Sequence, residues 1–276
     1  MIPRDEILSN LRNQVVAGKP IVGGGAGTGI TAKCAELGGI DLIIIYNSGR
    51  FRMAGRGSLS GMMPYGDANQ IVMEMAREVL PIVERTPVLA GVCGTDPFRI
   101  MKRFLVEIKN AGFSGVQNFP TVGLIDGQFR QNLEETGMGF DKEVEMIASA
   151  HDLDLLTCPY VFNEREAEQM AAAGADVLIP HMGLTTKGSI GAKTSLTLAD
   201  AAKRVQSLCD AAKRVNPEIL VLCHGGPISE PADVEYILSN TKGIVGFFGA
   251  SSIERLPTEI AITQCVKQFK QVGAGR

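Results

Sequence analysis

The chain alternates short apolar runs with amphipathic helical segments, and this alternation restricts the possible folds more than any other feature of the sequence. Eight runs have the character of strands, and they begin at Pro20, Asp41, Pro87, Gly115, Leu153, Asp176, Ile219 and Gly243. Segments with helical periodicity separate them, such as ANQIVMEMAREVLPIVE and LADAAKRVQSLCDAAKRV. Eight strand–helix units predict a single α/β domain over residues 1–276, a (β/α)8 TIM barrel, and an open doubly wound sheet is the alternative. The segment RDEILSNLRNQVVAG, which precedes the first strand, predicts an extra N-terminal helix that covers the bottom of the barrel.

Composition and charge exclude several classes of protein. A chain of 276 residues that is 45% hydrophobic can bury the core of one such barrel. Its formal net charge is −3 with both signs dispersed along the chain, whereas a nucleic-acid surface requires clustered Lys and Arg. No apolar run reaches the roughly 20 residues that a membrane span requires, and the first residues lack the apolar core of a signal peptide. We therefore expect a cytoplasmic protein that binds neither nucleic acid nor membrane.

Two histidines follow neighbouring strands. His181 comes directly after the sixth predicted strand and His224 after the seventh. Because the active sites of TIM barrels lie at the carboxyl ends of the strands, both imidazoles are expected at one rim. Histidine has an ordinary pKa near about 6.5, which suits proton transfer, so we predict that both are catalytic. Hydrogen-bonded histidines that only shape loops are the alternative.

The stretch PIVGGGAGTGITAK raises the question of a nucleotide cofactor. Gly27, Gly29 and Ala32 match the spacing of a dinucleotide-binding loop. Such a site also needs an acidic residue at the end of the second strand, and here that strand ends in Tyr46 and Asn47. We therefore expect no nucleotide cofactor.

Glycine- and serine-rich turns follow the first, seventh and eighth strands, which are neighbours once the barrel closes. In TIM barrels the backbone N–H groups of the loops after strands seven and eight frequently bind phosphate. These turns predict an anion pocket, with compact structural turns as the alternative. The predicted substrate-binding residues within them are Gly25, Gly27, Gly225, Gly226, Gly249, Ser251 and Ser252.

A long segment without a clear helix or strand pattern runs from about Asn47 to Gly66 and carries three arginines. Loops of that length inside a compact domain are usually lids or binding loops. Arg50 lies nearest the strand, and its planar guanidinium matches a carboxylate or phosphate; a basic loop that contacts another subunit is the alternative. Further candidates for substrate binding are Asn47, Asn118 and Thr121. Glu135 is a candidate general base and fits a solvated position equally well.

Four long motifs carry a resemblance to a known family: GGGAGTGITAK, YNSGRFRMAGRGSLSGMMPYGDAN, GVQNFPTVGLIDGQFRQNLEETGMGFDKEVEMI and GLTTKGSIGA. With them, essentially the whole chain resembles the phosphoenolpyruvate hydrolase-like family, also described as predicted TIM-barrel signal transduction proteins. The resemblance implies a barrel of the phosphoenolpyruvate/pyruvate-binding superfamily and a homo-oligomer. It implies an enzyme that hydrolyses or cleaves a small anionic substrate, which is either phosphorylated or an oxo-acid. The alternative is a non-catalytic barrel that senses a ligand or binds a partner in signal transduction.

The resemblance also raises the question of Mg²⁺. Phosphonomutase and isocitrate lyase relatives hold magnesium with acidic residues after the third and fourth strands, where this chain has Asp96 and Asn118. Magnesium is usually bound by one or two carboxylates together with substrate oxygens and water. Asp96 is therefore a candidate metal ligand and catalytic residue, provided that the ligand supplies the remaining oxygens.

The last helical segment and the terminus give two further expectations. The segment TEIAITQCVKQF has an apolar character that, with the resemblance, favours self-association. The final GAGR is expected to be poorly ordered, because glycines at a terminus bury little surface.

Overall fold

The computed structural model describes residues 1–273, in which short strands alternate with helices. The expectation for the terminus concerns residues 273–276, of which 274–276 lie outside this range. The strands are β1 (Ile21–Gly25), β2 (Leu42–Ile45), β3 (Val88–Val92), β4 (Gly115–Asn118), β5 (Leu156–Thr157), β6 (Tyr160–Val161), β7 (Val177–Pro180), β8 (Leu220–Cys223) and β9 (Ile244–Gly249). The helices are α1 (Arg4–Val16), α2 (Gly29–Leu37), α3 (Asn47–Met53), α4 (Ala68–Val79), α5 (Met101–Ala111), α6 (Gly127–Glu135), α7 (Asp141–Asp152), α8 (Glu164–Ala172), α9 (Leu198–Val215), α10 (Pro231–Ser239) and α11 (Arg255–Lys270).

All strand pairs are parallel, and the sheet closes into a barrel. The strand order is β5-β4-β3-β2-β1-β9-β8-β7-β6. Only Cys158 and Pro159 separate β5 from β6, and these two short strands pair with β4 and β7 respectively. They are therefore two halves of one strand, which splits at Pro159 because proline has no N–H to donate to a sheet. The predicted eight-stranded barrel is confirmed.

The strands and helices follow from the side-chain pattern. Strands β2 and β3 are buried along their whole length, as expected for parallel strands covered on both faces. Helices α4, α8 and α9 are capped by the residues that precede them, Asp67, Asn163 and Thr197. The side chains of these residues accept hydrogen bonds from backbone N–H groups of the first turn. Among residues 1–273, no helix combines the length and the hydropathy needed to cross a membrane.

Helix α1 is the predicted extra element, and it covers the amino-terminal ends of the strands. Its residues Ile7, Leu8 and Leu11 are buried. At its start, the Arg4 guanidinium donates to both carboxylate oxygens of Asp176, at 2.6 and 2.8 Å. Asp176 precedes β7, so this bidentate ion pair attaches the helix to the bottom of the barrel.

The segment after β2 is more regular than the sequence suggests. Helix α3 begins directly at Asn47, and a 3₁₀ helix follows at Ser58–Met62. The Asn47 side chain donates to the Gly61 carbonyl at 2.8 Å, and the Ser48 hydroxyl donates to the Ser58 carbonyl. These buried hydrogen bonds fold the segment back on itself, and the expectation of a structureless loop was wrong.

Helix α11 leaves the barrel instead of packing on it. Leu256 in its first turn is buried, but every residue of the helix from Ile260 onward is exposed. Beside β1 and β9 lies an apolar groove of about 490 Å³, lined by residues that include Val22, Val234 and Phe247. Since α11 follows the last strand, this groove lies at the place that the last helix of a βα barrel would cover.

The glycines of the first strand and turn allow close packing in the barrel. A Cβ on Gly23 would lie 2.4 Å from the Phe248 ring, and a Cβ on Gly27 would lie 2.1 Å from the Gly49 carbonyl oxygen. Both distances are far below van der Waals contact. The glycine cluster therefore admits a large aromatic side chain at β1 and the backbone of α3 at the turn after it.

We expect Gly27→Ala to destabilise the fold, by about 1–3 kcal/mol, because the added methyl group must displace the backbone of α3. The matched control is Gly57→Ala, because a Cβ on Gly57 meets no atom within 4 Å and its φ of −67° suits any residue. Urea unfolding of the two variants measures the difference. Equal stabilities would show that the contact between the turn and α3 does not constrain the fold.

Candidate functional site

A small cavity lies at the carboxyl ends of the strands, where TIM barrels carry their active sites. Its volume is about 30 Å³, which is room for one or two water molecules. The walls come from strand ends and from the segments after β2, β4, β7 and β9. The lining residues are Tyr46, Ser48, Arg52, Ser58, Leu59, Phe119, Leu124, Tyr160, His181, Gly183, Leu184, Thr185, His224, Ala250 and Ser251. We call this cavity the mouth pocket.

The two histidines lie side by side in the mouth pocket. His181 and His224 form a parallel backbone bridge that extends the pairing of β7 and β8. Their ring centroids are 4.6 Å apart, and only 6% and 5% of the two residues are exposed. The structure thus brings both predicted histidines to one rim of the barrel.

Backbone groups hold the two imidazoles in different tautomers. Nδ1 of His224 lies 2.6 Å from the carbonyl oxygen of Phe248, and a carbonyl only accepts, so Nδ1 carries the proton. Nδ1 of His181 lies 3.0 Å from the backbone nitrogen of Gly183, which only donates, so the proton of a neutral His181 is on Nε2. The pair therefore offers one Nε2 that accepts and one Nε2–H that donates.

Burial keeps both rings neutral. It lowers the pKa of His224 to about 4, and it lowers the pKa of His181 well below the ordinary value, with a further contribution from the neighbouring His224. Desolvation disfavours the charged form of an imidazole. At neutral pH the pair exchanges hydrogen bonds with a ligand as uncharged groups.

Arg52 is a cation in the wall of the mouth pocket, with 3% of the residue exposed. Its Nε donates to Glu254, at the start of α11, and its Nη2 donates to the Tyr46 hydroxyl at 3.0 Å. Among residues 1–273, Nη1 has no hydrogen-bond partner. A cation buried to this degree requires a counter-ion, and Glu254 supplies it.

Aromatic rings surround the histidines. The ring of Tyr160 lies 5.1 Å from His181 and 4.9 Å from His224, and Phe162 packs 5.0 Å from His181 on another side. Burial raises the pKa of Tyr160 well above its ordinary value, so its hydroxyl stays protonated. These rings exclude water and fix the imidazole planes.

The predicted turn residues lie beside the mouth pocket, and the backbone N–H of one of them already has a partner within the protein. The Gly226 N–H already donates to the Gly183 carbonyl at 2.7 Å, and a Cβ on Gly225 would lie 2.4 Å from the same oxygen. Ser251 lines the mouth pocket, whereas Ser252 lines the apolar groove beside β1 and β9. A Cβ on Gly249 would lie 2.3 Å from the Ile253 side chain. The Gly225–Gly226 turn and Gly249 therefore mainly permit close packing.

Gly25 and Gly27 lie below the pocket rather than in its lining. A Cβ on Gly25 would lie 3.3 Å from Nη2 of Arg52 and 3.4 Å from the Tyr46 hydroxyl. Gly25 thus leaves space for the Arg52 side chain. Gly27 faces the backbone of α3, as described above.

The structure does not bring three other predicted residues to the mouth pocket. Arg50 points outward from α3 and pairs with Glu74 at 2.9 Å. Asp96 pairs with Arg99 and lines a separate open groove of about 750 Å³. Glu135 ends α6 on the surface, where it accepts from Gln131. Each of these charges is directed away from the pocket by a local partner or by solvent.

Three polar candidates are buried supports rather than lining residues. The Asn118 side chain donates to Glu143 of α7 at 2.6 Å and accepts from the Tyr160 N–H at 2.7 Å. Thr121 accepts from the Gly123 N–H at 3.1 Å, and Asn47 holds the 3₁₀ helix. Burial raises the pKa of Glu143 to about 8. This network behind β4 positions the wall that carries Phe119.

Of the three arginines in the segment after β2, Arg52 lines the pocket, whereas Arg50, the preferred candidate, does not. Residues two positions apart on a helix differ by roughly 200° in direction, so only one of them can face the barrel. The helical conformation of Asn47–Met53 is the feature that separates the two arginines. Buried Glu254, its partner, follows the serine pair after the last strand, and no local pattern relates it to Arg52.

The mouth pocket does not fit a magnesium ion. Its lining contains no aspartate or glutamate, and residues 1–273 contain no group of three or more His, Cys, Asp or Glu side chains arranged for a metal. Magnesium prefers carboxylate and other oxygen ligands in octahedral geometry. Asp96, the predicted ligand, is occupied by Arg99, Asn69 and the Phe98 N–H.

Comparison with protein families and curated proteins identifies relatives over most of the chain. The model of the family described as phosphoenolpyruvate hydrolase-like matches residues 6–272. The ToMV resistance protein Tm-1(GCR237) of Solanum lycopersicum is 61% identical over 98% of this chain and 36% of its own length. The putative transcriptional regulatory protein y4pA of Sinorhizobium fredii is 35% identical over 98% of this chain and 44% of its own length. The chain spans less than half the length of these relatives.

Comparison with solved structures confirms the fold. Phosphonopyruvate hydrolase superposes with a TM-score of 0.63 at 14% identity, covering 98% of this chain and 88% of the other. Its complex with oxalate and Mg²⁺ gives 0.59 over the same shares, also at 14% identity. A 2,3-dimethylmalate lyase of the PEP mutase/isocitrate lyase superfamily gives 0.58 at 14% identity, covering 98% and 89%. At these identities the likeness concerns the fold.

The buried histidines predict how stability depends on pH. Because the folded-state pKa of His224 lies near 4 and that of an unfolded histidine near about 6.5, the unfolded chain binds more protons between these values. The free energy of unfolding therefore falls as pH drops from 7 to 5, by about 2 kcal/mol for His224. Urea unfolding at the two pH values should show a smaller fall in His224→Asn than in the parent protein. Equal falls would contradict a buried neutral imidazole.

Proposed function

Because the chain belongs to the phosphoenolpyruvate hydrolase-like family, we propose that it is an enzyme that hydrolyses or cleaves a small anionic metabolite, either phosphorylated or an oxo-acid, in the mouth pocket. The observation that supports this proposal is the pair of neutral histidines in complementary tautomers beside a buried arginine. Both rings line the cavity, and because their Nδ1 atoms are held by backbone groups, the two Nε2 atoms are left for a ligand as one acceptor and one donor.

The tautomers assign different tasks to the two rings. Nε2 of His224 has a lone pair and accepts a proton, from an attacking water in hydrolysis or from the substrate in cleavage. Nε2–H of His181 donates a hydrogen bond to an oxygen that gains negative charge in the transition state. A neutral imidazole suits this task as a donor that keeps its proton. Preorganised donors of this kind supply a large part of the rate enhancement in many enzymes.

Hydroxyl groups and Arg52 supply the remaining contacts with an anion. The Ser48, Ser58 and Ser251 hydroxyls line the mouth pocket together with Thr185, and the Ser58 and Ser251 oxygens are 3.3 Å apart. The cavity of about 30 Å³ is too small for an oxo-acid. Ligand entry therefore requires outward movement of the wall segments at Ser58–Leu59 and Leu184–Thr185.

A ligand-sensing barrel is the second candidate function. One relative is named a putative transcriptional regulatory protein, and the relatives are more than twice as long as this chain. In a sensor the same pocket would bind the anion and transmit its presence without turnover. The two functions differ in whether product accumulates after the ligand binds.

The test is a thermal-shift screen of phosphoenolpyruvate, oxaloacetate, oxalate and inorganic phosphate, followed by product assays on the compounds that bind. A ligand that binds only the folded protein raises the melting temperature. We expect His224→Asn to keep binding but to lower turnover by about 10²-fold or more, because it loses the proton acceptor. His151→Asn is the matched control, since His151 contacts Gly174 and Arg4 far from the pocket. Unchanged turnover in His224→Asn would contradict the enzymatic proposal, and binding without product would favour the sensor.

We also propose that the protein self-associates through α11. Ile262, Val266 and Phe269 are spaced i, i+4 and i+7, so they form one apolar stripe on the exposed part of the helix. The same chain exposes the apolar groove beside β1 and β9. A second copy can place its α11 in this groove and receive the first copy's helix in return, which is a symmetric exchange. Burial of each stripe residue contributes about 1.5–3 kcal/mol.

Light scattering during size-exclusion chromatography measures the mass in solution. We expect a multiple of 29.4 kDa for the parent protein at micromolar concentration. Ile262→Glu should shift the mass toward that of the monomer because it places a charge in the groove, and Gln264→Glu, on the same exposed helix, should not. A monomeric parent protein would refute the exchange.

A further inference from the structure

We propose that the mouth pocket binds its anionic ligand without a divalent cation, through hydrogen bonds from Nη1 of Arg52, from the His181 imidazole and from the hydroxyls of the lining. This inference rests on the proposed function, because it concerns the ligand of the same pocket. It describes which groups hold the ligand in the pocket, and it applies whether or not the bound ligand is then converted to product.

The acidic side chains near the mouth of the barrel lie outside the lining of the pocket, and Glu254 among them pairs with Arg52. Asp96 accepts hydrogen bonds from Arg99, Asn69 and the Phe98 N–H in a groove outside the pocket. Glu143 lies behind β4, where the Val122 N–H donates to it at 2.8 Å. A metal ion in the pocket would therefore find no carboxylate ligand among the lining residues.

The groups that do line the pocket are donors suited to an anion. His181 offers Nε2–H, and Ser251 and Thr185 offer hydroxyls. Imidazole and hydroxyl groups are weak ligands for a hard cation such as Mg²⁺, which selects oxygen anions. Hydrogen-bond donors and a guanidinium are the usual partners of a carboxylate.

Arg52 has the position and the unused capacity for this role. Two of its nitrogens are engaged, by Glu254 and by the Tyr46 hydroxyl, and within residues 1–273 Nη1 has no hydrogen-bond partner. The side chain is fixed because both engaged nitrogens bond to buried groups. A guanidinium N–H in a pocket sheltered from water donates a stronger hydrogen bond to an anion than it would in water, and the ion pair with Glu254 holds the guanidinium in place.

The first experiment measures the dissociation constant of oxalate by calorimetry in excess EDTA and in excess MgCl₂. We expect the two values to agree within about twofold. Binding that is at least about tenfold tighter with Mg²⁺ would overturn the inference while leaving the proposed function intact. If neither oxalate nor phosphoenolpyruvate binds under either condition, the proposed function fails and the inference fails with it.

The second experiment removes the Arg52 guanidinium together with its counter-ion, so the net charge stays the same and a loss of affinity reports the lost hydrogen bond. Arg52→Gln alone would leave Glu254 buried without its partner, so the variant is Arg52→Gln with Glu254→Gln, and its fold is checked by circular dichroism and thermal unfolding. We expect oxalate affinity in EDTA to fall at least about tenfold. Arg50→Gln is the matched control, since Arg50 pairs with Glu74 outside the pocket, and its affinity should not change. Affinity equal to that of the parent in a folded double variant would overturn the role of Arg52.

Discussion

The ion pair between Arg52 and Glu254 is the interaction on which the mouth of the barrel depends. An unpaired charge at this depth would be strongly destabilising, so the two side chains must meet. Their meeting joins α3, which follows β2, to the start of α11, which follows β9. The strand between them, β1, is built of glycines at this level, which leaves space for the guanidinium and for Tyr46. The glycine cluster of the sequence thus leaves space for a buried charge and for close backbone contacts.

The histidine pair depends on the same region of the barrel. The Phe248 carbonyl, which fixes the tautomer of His224, belongs to β9, and β9 pairs with β1. His181 takes its tautomer from the Gly183 N–H, and Gly183 in turn accepts from Gly226 in the turn after β8. Glycines in that turn have positive φ, so the backbone can approach closely there. The chemistry of the two rings is therefore set by backbone groups of neighbouring strands and turns.

Much of the fold could be predicted from the sequence because alternation and helical periodicity are local patterns. The strand positions and the helix α1 followed from them, and so did the placing of His181 and His224 at one rim. The split at Pro159 was missed although its cause, the absent N–H of proline, is local. Helix α3 was missed, since the hydrogen bonds that fold its segment back depend on tertiary contacts. The direction of charged side chains could not be predicted for the same reason. Arg50, Asp96 and Glu135 follow strands or lie near loops, yet a local partner turns each of them away from the pocket. Arg52 turns inward because Glu254, some 200 residues later, lies there.

The central claim is that an anion binds between the two neutral histidines and Arg52. The most direct test is a crystal structure of the protein with oxalate. We expect oxalate in the mouth pocket with one oxygen within hydrogen-bonding distance of Nε2 of His181 and another near Nη1 of Arg52. We also expect the segments at Ser58–Leu59 and Leu184–Thr185 to move outward to admit the ligand. Oxalate bound in the groove beside Asp96, or at the amino-terminal ends of the strands, would contradict the account.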